Sequence, residues 1–352
     1  MNVQASTEGR FRGKPPPGRR GPRALFRTVR VRAGPFVRHC MAALSGRWRD
    51  KRLRRAPAGL AVTIVRPDGF RLAGRLFAPR GAAGAVPGMV IAHGWDPQGQ
   101  RHGLYVALAD ALAGRGHAVL TFNLRGYPGS DLPAGWDGFT IDELAGDVIA
   151  ALDWLRNREG VDPDRVALLG HSYGADLVIP VLARDLGIWR AIIYGASCWM
   201  DATTTAPDAT HREFYHERYW RYMTVGRPMP MRDFLDLTEG LYIPNQVDAL
   251  EAGHPPVLLV DGGDEKGSTL MFSALLRGLV RPPCDYHAIP GTDHFCNTAA
   301  FGDLLVEDRR AITAFAEYLV QWLQRPARAE TAIRSAHRDP DRENHPHPHP
   351  VS

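Results

Sequence analysis

A chain of 352 residues in which 44 % are hydrophobic, 23 % charged and 9 % aromatic has the balance of a globular protein, with length for one large domain or two ordinary ones. No run approaches the roughly 18 consecutive apolar residues of a membrane-spanning helix, and mean hydropathy is −0.25, which excludes an integral helical membrane protein. The net charge of +5 conceals an asymmetry: residues 1–56 carry 14 arginines, Lys14 and Lys51 against Glu8 and Asp50, a net of +14, so the rest of the chain stands at −9.

Residues 1–56 form a basic tail. Pro15-Pro16-Pro17-Gly18 and scattered glycines interrupt any helical period, so disorder is expected. Such an arm is open to three readings: a solvated extension, an arm making weak contact with an anionic surface through charge alone, or a translation start placed upstream of Met41. None supports specific nucleic-acid binding. No apolar signal-peptide core accompanies the arginines, so a cytoplasmic location is expected. Cys40, Cys198, Cys284 and Cys296 lack a CxxC pair, which argues for free thiols over a disulfide scaffold or a zinc site.

The body, residues 57–325, alternates strands and helices. Leu60 to Arg66, the turn Pro67-Asp68-Gly69 and Phe70 to Phe77 predict an antiparallel hairpin. Short apolar runs at Gly88–Ala92 and His117–Phe122 predict strands covered on both faces, and the alternation continues with strands expected at Arg165–Leu169, Arg190–Tyr194, Val257–Val260 and Asp285–Ile289. Helical patterns separate them near Leu104–Ala113, Ile141–Arg158, after Ser172, near Leu270–Leu279 and over Asp303–Leu323. Repeated βα units make an α/β fold, a mostly parallel sheet with helices on both faces.

Residues 198–253 interrupt this alternation. Phe214, Tyr215, Tyr219, Trp220 and Tyr222 interleave with His211, Arg212, His216, Arg218 and Arg221. An inserted lid presenting Tyr215 and Trp220 to a substrate fits this composition; so does an insertion whose rings only seal it against the sheet. Past Arg325-Pro326 a polar tail, residues 326–352, ends in alternating His and Pro, and the prolines exclude a preformed helical metal site.

Gly170-His171-Ser172-Tyr173-Gly174 follows an apolar strand and opens a helical segment. This is the setting of a G-x-S-x-G elbow, where glycines permit the tight turn and the serine oxygen projects clear of the sheet. A serine nucleophile needs a histidine base and a carboxylate that orients it. His294 lies just past the last predicted strand; Asp264 and Glu265 follow the preceding one, completing the order serine, acid, histidine. His171, His254 and His287 are better explained as structural. For the oxyanion, the amide of Tyr173 and that of Trp95, in the loop His93-Gly94-Trp95 after the strand ending at Ala92, are the expected donors, with His93 and Gly94 facing substrate.

These motifs fall in family order, and from Leu60 to Leu323 the chain resembles the α/β-hydrolase superfamily, in its serine esterase and acyl-peptidase-like branches. The stretch Asn123-Leu124-Arg125-Gly126-Tyr127-Pro128-Gly129-Ser130 belongs to the resemblance, although relatives often have Asp where Asn123 stands. The family spacing Gly-x-x-Asp counted from Gly262 lands on Glu265, the acid preferred by register, while residue type favours Asp264. The resemblance implies hydrolysis of carboxylic esters through an acyl-enzyme, on a small-molecule acyl substrate, with neither metal nor organic cofactor. Thioesters and peptides use the same groups, and a non-catalytic binding protein of this fold is the reading from another class. Relatives that are dehalogenases, epoxide hydrolases or dienelactone hydrolases carry a carboxylate or a cysteine in place of Ser172.

Overall fold

A computed structural model describes residues 51–79, 81, 83–132, 139–184, 187–196, 254–265, 273–274, 276–278, 280 and 283–326. The expectations for residues 1–50, for the insertion at 198–253 with Tyr215 and Trp220, and for residues 327–352 lie outside the described residues. In chain order the elements are β1 (Lys51–Arg55), β2 (Leu60–Val65), β3 (Arg71–Phe77), β4 (Val86–Ala92), α1 (Gly103–Ala113), β5 (Ala118–Phe122), α2 (Ile141–Arg156) and β6 (Val161–His171). They continue with α3 (Tyr173–Asp176), α4 (Val178–Leu182), β7 (Ala191–Tyr194), β8 (Val257–Gly262), β9 (Cys284–Ile289), β10 (Ala299–Phe301), β11 (Leu304–Asp308) and α5 (Arg309–Leu323).

Eight of these strands form one sheet in the order β2-β3-β5-β4-β6-β7-β8-β9. β2 and β3 pair antiparallel, as do β3 and β5, and all later neighbours are parallel. Side chains alternate across the sheet with the strand's period of two. In β4, Val90 joins the core layer of α2 with Leu144, Val148 and Leu152, while Met89 and Ile91 join the opposite layer of α1 and α5 with Leu108, Phe315 and Trp322. β5, β7 and β8 are buried along their whole length, which is why they read as nearly unbroken apolar runs, whereas β2 and β9 at the sheet's edges are partly exposed.

Strand order reverses at β4, whose neighbours β5 and β6 follow it in sequence on opposite sides. Ligand sites in open α/β sheets lie beyond the carboxyl ends of strands at such a reversal. The loops after β4 and β6 carry His93-Gly94-Trp95 and Ser172.

Two expectations are corrected. The helix expected over Asp303–Leu323 starts only at Arg309: Gly302, at φ +61°, turns β10 into β11, and Asp308 caps α5 by accepting the Ala311 N–H. The last residues assigned to the basic tail, Lys51–Arg55, are a strand pairing antiparallel with β11 in a small sheet β1-β11-β10. Arg54 donates to both carboxylate oxygens of Glu307 at 2.8 and 3.0 Å and to Asp110 on α1 at 3.1 Å. A bidentate guanidinium–carboxylate pair of this kind ties the strand to the body with defined geometry.

Candidate active site

Ser172 stands between β6 and α3 with φ 54° and ψ −121°, a backbone conformation that costs a non-glycine residue about 1–3 kcal/mol. The flanking glycines make the turn possible. A β-carbon on Gly170 would collide with the Gly174 carbonyl, and one on Gly174 with the carbonyl of Ala92 at the end of β4. The Ser172 amide is held by the Tyr194 carbonyl at 2.9 Å.

Glu265 is buried, and its Oε1 accepts a hydrogen bond from His294 Nδ1 while Oε2 accepts the Gly262 N–H at 2.9 Å. With its proton engaged at Nδ1, the imidazole leaves Nε2 as its basic nitrogen. Asp264 is exposed, and its amide donates to Thr292 O at 2.8 Å; the carboxylate that meets His294 is Glu265. The loop bearing His294 is braced from within: Asp293 Oδ1 accepts the amides of Phe295 and Asn297 at 3.0 and 2.7 Å, and Asn297 Oδ1 accepts that of Asp293 at 3.1 Å. Gly195, past the end of β7, lies directly under the histidine, where a β-carbon would stand 2.8 Å from His294 Cε1. Among the described residues no hydrogen bond joins Ser172 Oγ to the His294 ring; His171, beside the serine, brings its ring centroid to 4.6 Å from that of His294.

The loop after β4 lies against the serine, and a β-carbon on Gly94 would stand 2.8 Å from Ser172 Cβ. His93 is corrected from substrate contact to strut. Its ring is fully buried, with Nδ1 bonded to Gly94 O at 2.8 Å and Nε2 accepting the Leu124 N–H at 3.1 Å, so neither nitrogen is left for a ligand. Burial lowers its pKa to about 4, which keeps the ring neutral. The Gly94 carbonyl also accepts the Asp96 N–H at 3.0 Å. Because a trans peptide points its N–H opposite its C=O, pinning that carbonyl fixes the direction of the Trp95 amide. The Trp95 and Tyr173 rings pack together with centroids 4.9 Å apart, so the two expected oxyanion donors belong to neighbouring residues. The Tyr173 amide opens a helix and has no carbonyl of an earlier helical turn to bond.

Asn123 bridges two loops: its Oδ1 accepts the Gln100 N–H at 2.7 Å and its Nδ2 donates to Pro128 O at 2.8 Å. An aspartate there would lose the second bond.

Two further carboxyl groups lie buried nearby. Asp261, at the end of β8, is pushed upward in pKa chiefly by burial and accepts the Ser273 hydroxyl at 2.6 Å. Asp96, in the loop after β4, is pushed up to about 6 by burial, against the Gln98 N–H that its Oδ1 accepts at 2.8 Å. A folded-state pKa above the unfolded value means that the folded protein holds the proton more tightly, so the associated stability is present in acid and is lost as pH rises through about 6. Asp96→Asn keeps the Oδ1 acceptor and removes the charge. Its stability relative to wild type is expected to improve by about 2 kcal/mol between pH 4 and pH 7.5, read from denaturant melts at the two values; a constant difference would show that Asp96 titrates normally.

Sequence reasoning missed Gly195 and Tyr105 and treated His171 as mere surroundings. No motif or spacing marks Tyr105, which reaches Gly94 and His171 across separations of 11 and 66 residues.

The model of the prolyl oligopeptidase family, peptidase S9, matches residues 106–324. The chain belongs to this family. As a prolyl oligopeptidase family member it is a serine hydrolase of the α/β-hydrolase superfamily. It is 29 % identical over 238 residues to an uncharacterized protein of Mycobacterium tuberculosis, an alignment covering 68 % of this chain and 73 % of the relative. It is 33 % identical over 125 residues to dipeptidyl aminopeptidase BIII of Pseudoxanthomonas mexicana, covering 32 % of this family member and 18 % of that enzyme. Among solved structures, Est1E from Butyrivibrio proteoclasticus, with ferulic acid bound, superposes with a TM-score of 0.57 at 18 % identity, over 75 % of this chain and all of Est1E. That likeness concerns the fold. Among the described residues of this prolyl oligopeptidase family chain no helix is long and apolar enough to cross a membrane.

Proposed function

We propose that the protein hydrolyses carboxylic esters of small acyl substrates, with Ser172 as nucleophile, His294 as general base and acid, and Glu265 orienting the histidine. The observation that carries this reading is the buried carboxylate of Glu265 on His294 Nδ1, in a loop packed beside a serine held in the strained conformation of a nucleophile elbow. Ser172 Oγ attacks the ester carbonyl while its proton passes to His294 Nε2, and the oxyanion is held by the Trp95 and Tyr173 amides. The tetrahedral adduct collapses as His294 returns the proton to the leaving alkoxide, giving alcohol and acyl-enzyme. Water then attacks the acyl carbon, again losing its proton to Nε2, and the second collapse restores Ser172 and releases the carboxylic acid. Glu265 stabilises the imidazolium formed in each half-reaction. No step calls for a metal or a cofactor.

The same atoms serve a peptide bond, and the partial likeness to dipeptidyl aminopeptidase BIII keeps an acyl-peptidase as the second reading. The test is a panel of p-nitrophenyl esters, thioesters and aminoacyl p-nitroanilides, with fluorophosphonate labelling alongside. Ester kcat/KM at least 100-fold above that of the anilides is expected; the reverse order would establish the peptidase. Neither turnover nor labelling would move the assignment to a non-catalytic binding protein.

A further inference from the structure

A buried chain of hydrogen bonds joins three loops of the site. The Gly94 N–H donates to Tyr105 Oη at 2.7 Å, Tyr105 Oη lies 2.8 Å from His171 Nδ1, and His171 Nε2 lies 2.8 Å from the His294 carbonyl oxygen. Tyr105 comes from α1 and is 1 % exposed; His171 ends β6 next to the serine and is fully buried. Both ends of the chain are backbone groups whose roles cannot change: an amide only donates and a carbonyl only accepts. With a neutral imidazole the direction of every bond follows. The His294 carbonyl takes a proton donor, so His171 carries its hydrogen on Nε2; its bare Nδ1 then accepts from the Tyr105 hydroxyl, whose oxygen accepts from Gly94. Burial pushes the Tyr105 phenol well above its ordinary pKa, so the hydroxyl keeps the proton it donates.

We propose that Tyr105 and His171 are positioning residues for acyl transfer: together they lock the loop of Gly94 and Trp95, the Ser172 elbow and the His294 loop into one register. The inference rests on the ester-hydrolase reading for its kinetic consequence. Each loop contributes one part of the reacting constellation: an oxyanion donor, the nucleophile, the base. A bridge that touches the backbone of two of them and sits beside the third sets their relative placement without touching substrate. Displacements of about 1 Å in such a constellation cost up to about 100-fold in rate. A bond network serving stability alone would leave kcat untouched in a folded variant.

The test begins with Tyr105→Phe, which keeps the ring and removes the acceptor of the Gly94 amide and the donor to His171. We expect kcat for ester hydrolysis to fall about 10- to 100-fold with KM within about twofold of wild type, and fluorophosphonate labelling of Ser172 to slow in parallel. His171→Gln should fall in the same range, and the double variant should lose no more than the worse single one, because both break one chain. Independently of any variant and of activity, nitrogen-15 NMR of histidine-labelled wild type should show His171 neutral with its proton on Nε2. A folded Tyr105→Phe with wild-type kcat, additive losses in the double variant, or His171 protonated on Nδ1 would each overturn the proposal. Failure of the underlying reading looks different: wild type itself would neither turn over esters nor label, while the tautomer would still decide whether the bridge exists.

Discussion

Ser172→Ala is expected to reduce ester kcat by about 10⁵- to 10⁶-fold, leaving only what the oxyanion donors and binding contribute. The serine has no substitute at the elbow: the side chains of Gly170 and Gly174 are absent, and His171 and Tyr173 are buried on either side. Because Ser172 sits at φ 54°, the alanine variant inherits the same backbone strain and should melt close to wild type. Ser172→Gly separates chemistry from folding more sharply. It should be equally inactive yet more stable by about 1 kcal/mol, since glycine adopts positive φ without steric cost. Active Ser172→Ala protein, checked by fluorophosphonate labelling to exclude contaminating wild type, would remove the serine from the mechanism.

Glu265→Gln is expected to lower kcat about 10³- to 10⁴-fold, and Asp264→Asn to remain within about twofold of wild type. The carboxylate of Glu265 accepts at both oxygens, from His294 Nδ1 and from the Gly262 amide. A glutamine satisfies only one of them. If its oxygen faces His294, its NH₂ opposes the Gly262 N–H; if it flips, the NH₂ faces Nδ1, draws the imidazole proton to Nε2 and abolishes the base. Asp264 is exposed and contributes its amide to Thr292, an interaction that Asp264→Asn preserves. The opposite ranking of the two variants would assign the acid to Asp264. The comparison is robust because both substitutions remove one charge from adjacent positions and differ only in which side chain meets the histidine.

The sequence alone determined the order of the elements from β2 to β9 and the placement of Ser172 and His294 at strand ends, because these depend on local physics. A strand buried on both faces must be a short apolar run, and a strand-to-helix turn this tight admits only glycine two positions to either side of its serine. The capping of α5 by Asp308 was equally local, yet the apolar Leu304-Leu305-Val306 before it obscured the boundary, since such a run suits a helix or a strand until its partner is known. That partner is β1, some 250 residues upstream in sequence, which also converted the end of a basic tail into structure. Tertiary contacts likewise decided between Asp264 and Glu265, turned His93 from a substrate contact into a strut, and joined Tyr105 and His171 to the site. Each of these decisions is a hydrogen bond between groups distant in sequence or a one-residue register within a loop, and neither leaves a period in the amino-acid order from which it can be read.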